Sequence, residues 1–121
     1  MTPSEFRAEL IKIMPGYKWV VRRSSSKKYL LATGTQSSGS NRLSTLQVER
    51  QDSLDGSSRQ HYEVRSAGYG RRAAWLHATS GATLAQALRN LQNHYERKAA
   101  TYRSHAIDLA NGRKQSGGQV S

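Results

Sequence analysis

The 121 residues suffice for one hydrophobic core, since domains typically run to about 100–150 residues, and a hydrophobic content of 36% with only 7% aromatics keeps that core thin. Nineteen Lys and Arg against eight Asp and Glu give a formal net charge of +11, beyond the ~2–8 of an ordinary small soluble domain, and point to a polyanionic partner. The absence of cysteine excludes a disulfide framework and a Cys-ligated zinc site; the opening MTPSEFRAEL lacks the apolar run of a signal peptide or of a membrane span of ~20 residues, so a cytoplasmic, non-membrane protein is expected.

Thr2, Pro3 and Glu5 spell a helix start: Thr2 is the N-cap, Pro3 takes the first helical position and Glu5 closes a capping box. Phe6, Leu10 and Ile13 form one apolar stripe, and Pro15-Gly16 ends the helix. From Tyr17 the period becomes two, with Tyr17, Trp19 and Val21 inward and Lys18, Val20 and Arg22 outward, as a half-buried strand requires. A serine turn at 24–26 leads to a second strand over 29–33. Residues 34–41 (GTQSSGSN) read as a flexible loop of small polar residues. A third strand over 43–50 points Leu46 and Val48 inward, followed by a long polar connection over 51–59 that contains Asp55-Gly56.

The fourth strand is expected over 61–66, with Tyr62 and Val64 inward. A Gly-punctuated turn, AGYGRR from Ala67 to Arg72, leads to a short fifth strand over 73–78 carrying Trp75. Thr83 and Gln86 offer a second capping box. Beyond it the stripe Leu84, Leu88, Leu91, Tyr95, Ala99, Tyr102, Ala106, Leu109 keeps helical spacing for ~26 residues, which at 1.5 Å each span about 40 Å. Sheet strands of five or six residues reach only about 17–20 Å, so the carboxyl half of this helix is expected to overhang, bend back or pack on another chain. Asn111-Gly112 are read as its stop, which makes 1–111 a single domain and 112–121 a disordered polar tail. The expected fold class is α+β: a short N-terminal helix, an antiparallel sheet of about 4–5 strands and a long C-terminal helix packed on the sheet.

Catalytic readings are weak, and no enzyme is expected. General acid–base chemistry needs titratable groups held together in a pocket. Of the acids, only Glu49 and Glu63 fall on strands that can be neighbours, and both should face solvent. His61, His77, His94 and His105 lack metal-ligand spacing, His94 and His105 being three helical turns apart, so no metal is expected. Gly34 and Gly39 superficially resemble a phosphate-binding loop, but the lysine and the strand–loop–helix context are missing. No cofactor is expected.

Charge placement carries the functional expectation. No acidic residue lies between Glu9 and Glu49 or between Glu63 and Glu96, so the field is one-signed along much of the chain. Arg22, Arg23, Lys27, Lys28, Arg42 and Arg65 are the candidate phosphate contacts on strands and turns. At 67–72, Tyr69 between two glycines can stack on a base while Arg71 and Arg72 grip phosphate. The stripe residues Tyr95, Tyr102 and Leu109 are the candidates for self-association, as a homodimer through the long helix.

In outline, helix–strands–long helix with a basic turn before the last strand resembles a double-stranded-RNA-binding domain, although TLAQA at 83–87 stands where that family opens its last helix with KKxAK. The runs FRAELIKIMPGYKW, ATGTQSSGSNRLSTL and SAGYGRRAAWL are similar to small uncharacterised proteins of bacterial phages and integrative mobile elements. That resemblance implies an accessory or anti-defence protein, such as an anti-CRISPR-like inhibitor that binds a nucleoprotein effector and blocks its nucleic-acid site. Two expectations stand side by side: a nucleic-acid binder with little base preference, and that protein-directed inhibitor.

Overall fold

A computed structural model describes residues 1–22, 28–38, 41–52, 59–68 and 72–118, the side chains of 41–42 and 115–118 excepted. The order is α1 (Pro3–Ile13), β1 (Lys18–Arg22), β2 (Tyr29–Ser38), β3 (Asn41–Asp52), β4 (Gln60–Ala67), β5 (Trp75–Gly81) and α2 (Leu84–Gly118). The five strands form one antiparallel sheet in chain order, β1-β2-β3-β4-β5, and the protein is α+β. The chain divides into two compact units, Met1–Leu91 and Gln92–Ser121, so α2 contributes residues 84–91 to the first and continues as the second.

The capping box forms as the sequence predicts. The Thr2 hydroxyl accepts the Glu5 amide at 3.2 Å, and the Glu5 carboxylate accepts the Thr2 amide at 2.9 Å. The hydrogen bond from the Thr2 amide, foremost, and the Thr2 side chain hold the Glu5 carboxyl below its ordinary pKa of 4.5. Phe6 and Leu10 are fully buried, whereas Ile13, one turn on, is exposed, so the working stripe is shorter than its spacing suggests.

Cross-strand register sorts the sheet into two faces. On the inner face lie three rows: Trp19, Gly34, Leu46 and Ser66; Val21, Ala32, Val48, Val64 and Thr79; Leu30, Arg50, Tyr62 and Gly81. Both helices contact this face. Trp19 Nε1 donates to the Met14 carbonyl at the end of α1 (3.1 Å), the Tyr62 hydroxyl donates to Glu9 (3.2 Å), and the Thr79 hydroxyl donates to the Ala87 carbonyl (2.8 Å). Leu84, Ala87 and Leu91 bury the first turns of α2. Gly81 lets them in close, because a Cβ there would stand 2.9 Å from the Ala87 nitrogen.

Three departures from the expected boundaries have a physical reason, and β3 besides is longer than expected, at 41–52. Residues 34–38 continue β2 instead of forming a loop: Gly34 is in the strand because the Trp19 ring lies on it, a Cβ at that position falling 2.6 Å from Trp19 Cζ3. Thr33 and Thr35, β-branched, suit the pleat. The last strand starts at Trp75, two residues later than expected, and runs to Gly81. The register there steps from Ser66↔His77 to Ala67↔Trp75, leaving Leu76 as the extra residue of a bulge. Helix α2 passes through Asn111-Gly112 to Gly118, so the segment expected to be a disordered tail is helical to that point. The two strands at the rim of the sheet differ in kind. β1 carries Lys18 and Arg22, whereas β5, WLHATSG, has no charged residue and no proline.

Candidate nucleic-acid interface

The inner face is occupied by the helices, which leaves the opposite face of the sheet as the broad surface of the first unit; no described element of that unit packs on it. Its rows alternate with the inner ones. The first is Lys18, Thr35, Thr45, Ala67 and Trp75; the second Val20, Thr33, Gln47, Arg65 and Ala78; the third Arg22, Leu31, Glu49, Glu63 and Ser80.

At the centre, the two carboxylates singled out from the sequence stand directly across from each other, Glu49 on β3 and Glu63 on β4. Arg65, one pleat along β4, lies 3.1 Å from Glu49 and 3.8 Å from Glu63. Its guanidinium carbon also lies 5.6 Å from the centroid of the Trp75 ring, a cation–π distance. Tyr29 joins the same patch. Burial raises its pKa above the ordinary 10.0, as do the charge and the hydrogen bond of Glu49. Arg65 is thus half-buried and already satisfied by carboxylates, and what it presents outward is the indole it supports. Among the described residues, no group of three or more His, Asp or Glu is placed to hold a metal ion.

The remaining sequence candidates are spread around this face. Arg22 is exposed at the end of β1, and Arg72 is exposed just ahead of β5. Lys28 is exposed where β2 begins, its carbonyl accepting the Asp52 amide at 2.8 Å. Arg42 has its backbone in β3 opposite Ser37, its side chain lying outside the described residues. Arg23, Lys27, Tyr69 and Arg71 lie outside the described residues altogether. Comparison with protein-family models, curated proteins and solved structures finds no match.

Two residues of this surface were not among the sequence candidates. Lys18 is legible as an outward strand residue of the acid-free stretch between Glu9 and Glu49. Trp75 was legible as strand-borne; the Leu76 bulge, which breaks the alternation, hides which face it takes. It is 45% exposed, against a buried Trp19.

In the second unit, every described residue from 96 to 114 is exposed. Tyr95 is half-buried and meets His94 edge-on, with ring centroids 5.2 Å apart. Tyr102 is 66% exposed and Leu109 72%. Among the described residues, no helix is long and apolar enough to cross a membrane.

Proposed function

We propose that this protein is a non-enzymatic, cytoplasmic nucleic-acid-binding protein that contacts phosphates through its basic strands and turns with little sequence preference. The observation that carries this reading is an imbalance of surface charge. Five of the eight acidic residues have partners within the chain: Glu9, Glu49, Asp52 and Glu63 are engaged by Tyr62, Arg65 and Arg50, and the exposed Glu5 by Thr2 in the capping box. Of the nineteen cations, Arg7, Lys12, Lys18, Arg22, Arg72 and Arg89 are among those exposed on the first unit. They sit on α1, β1, the turn ahead of β5 and α2, a distribution that suits backbone contacts and not a recognition helix reading base edges.

The test is a salt titration of binding to duplex DNA, single-stranded DNA and RNA. Each phosphate contact releases counterions, so six or more contacts should weaken binding by about a thousandfold or more between ~0.05 and ~0.2 M salt. Affinity that stays flat over that interval would remove phosphate contacts from consideration. Stoichiometric, salt-tolerant capture of a nucleoprotein would favour the inhibitor reading instead.

Self-association belongs to the same proposal. Tyr102 and Leu109 extend the apolar stripe of α2 into a segment that stands exposed among the described residues, and a second copy of the helix, pairing along Tyr95, Tyr102 and Leu109, would bury them. Lys98 and Arg103 flank that stripe, so pairing should tighten as salt screens their repulsion. Sedimentation across protein concentration is expected to show a modest dimer that Tyr102→Ser with Leu109→Ser abolishes, leaving the melting temperature of the sheet unchanged. A strict monomer in moderate salt would end this idea.

A further inference from the structure

We infer that the open sheet face is a stacking platform for unpaired nucleic acid, with a base seated on the Trp75 ring. This rests on the nucleic-acid reading and narrows its substrate class. An exposed indole on a sheet is a generic receptor for any flat π-surface, since every base has a π-face. Here the ring is braced. The Arg65 guanidinium lies 5.6 Å from its centroid, and Arg65 is fastened in turn by Glu49 and Glu63. The arginine that supports the platform holds Glu49 at 3.1 Å and offsets one of the two carboxylate charges, which would repel phosphates if bare.

The rest of the row fits a strand laid across the sheet. From Trp75 it runs through Ala67, Thr45 and Thr35 to Lys18 on the opposite rim. Four inter-strand steps of ~4.8 Å separate the indole from the lysine by ~19 Å. The side chains between them are small, so they leave a shallow trough, and the half-buried Thr35 hydroxyl can hydrogen-bond to sugar or phosphate, while Thr45 is buried beneath it. Lys18 and the exposed Arg22, both on β1, supply positive charge at the far end of the trough. A duplex keeps its bases stacked inside and offers Trp75 no free ring. A phosphate backbone with splayed bases uses both the ring and the cations.

The experiment compares one mixed-sequence single-stranded oligonucleotide with the blunt duplex of the same sequence, using the full chain. Fluorescence is the readout, because an exposed indole quenches on stacking whereas the buried Trp19 does not respond. The expected result is tighter binding of the single strand, with quenching that the duplex does not produce. Trp75→Ala should weaken single-strand binding by about 5- to 100-fold and leave duplex binding unchanged; Trp75→Phe should recover most of the loss. Equal affinity for both forms without quenching, or a Trp75→Ala protein that binds the single strand like the parent, overturns the platform while leaving steep salt dependence, and the broader reading, standing. If neither form binds in a salt-dependent way, the broader reading fails and the platform with it. Should Trp75→Ala prove unfolded by thermal melting, quenching of the parent protein and the Trp75→Phe affinity still decide.

Discussion

Gly34→Val is expected to lower the melting temperature of the sheet unit by ~10–20 °C, a loss of ~2–3 kcal/mol. The reason is the Trp19 ring, which lies across the Gly34 backbone so closely that a single Cβ would fall 2.6, 2.7 and 2.8 Å from three of its carbons. The ring has little room to withdraw. Its Nε1 is tied to the Met14 carbonyl, Tyr17 lies against it at a centroid distance of 5.8 Å, and Tyr17 is fixed by its hydroxyl to Ser44 at 2.7 Å. A larger residue at 34 therefore pushes the end of α1 off the sheet or breaks the β1–β2 pairing. Gly34→Ala should show the same effect more mildly, and a second change, Trp19→Leu, should reduce the additional penalty of alanine at 34. Thermal unfolding of the four members of that cycle measures the coupling; an unchanged melting temperature for Gly34→Ala would mean that the ring is not wedged there.

Tyr62→Ala is expected to cost about 3–5 kcal/mol, because it empties a fully buried aromatic site and strips the partners of its hydroxyl. Arg50 Nη1 donates to that oxygen at 2.6 Å, the hydroxyl donates to Glu9 at 3.2 Å, and Arg50 Nε holds Asp52 at 3.1 Å. One buried phenol thus links α1, β3 and β4. Tyr62→Phe keeps the packing and loses the links, at about 1–3 kcal/mol. Burial foremost, then the charge of Glu9, raises the Tyr62 pKa above its ordinary 10.0. The unfolded chain therefore releases this proton first: the contribution is complete below pH 10.0 and is lost as pH rises through the folded-state value. Tyr29 shifts in the same direction. Denaturant unfolding at rising alkaline pH should show stability falling for the parent protein, and a shallower fall for Tyr62→Phe. Identical alkaline slopes would remove Tyr62 from that transition.

Where local chemistry decides, the sequence was readable. Thr2-Pro3-Ser4-Glu5 can do little else at a helix start, and the alternation of Leu46 with Val48 and of Tyr62 with Val64 forces one face of each strand inward. Where a distant partner decides, it was not. Gly34 looks like a loop residue until Trp19, fifteen positions away, is laid over it. Asn111-Gly112 look like a stop, but a glycine ends a helix by turning left-handed, and one that keeps helical backbone in an exposed helix costs only about 1 kcal/mol. The open face was legible by parity for Lys18, Arg22, Glu49, Glu63 and Arg65. It was not for Trp75, whose direction depends on the extra residue in β5, and neither the pairing of Arg65 with two carboxylates nor its contact with the indole leaves a mark on spacing.

The uncharged rim strand has a consequence for how the protein behaves in bulk. Sheet proteins usually blunt their outer strands with lysine or proline, and β1 does so with Lys18 and Arg22 while β5 does not. Beside the bulge at Leu76, what opposes two β5 strands zipping together is the long-range repulsion between molecules that each carry +11. Colloidal stability is delegated to the very charge that a polyanion neutralises. Near charge equivalence the rims can meet and the mixture turns cloudy, and an excess of polyanion recharges the particles with the opposite sign and clears it again.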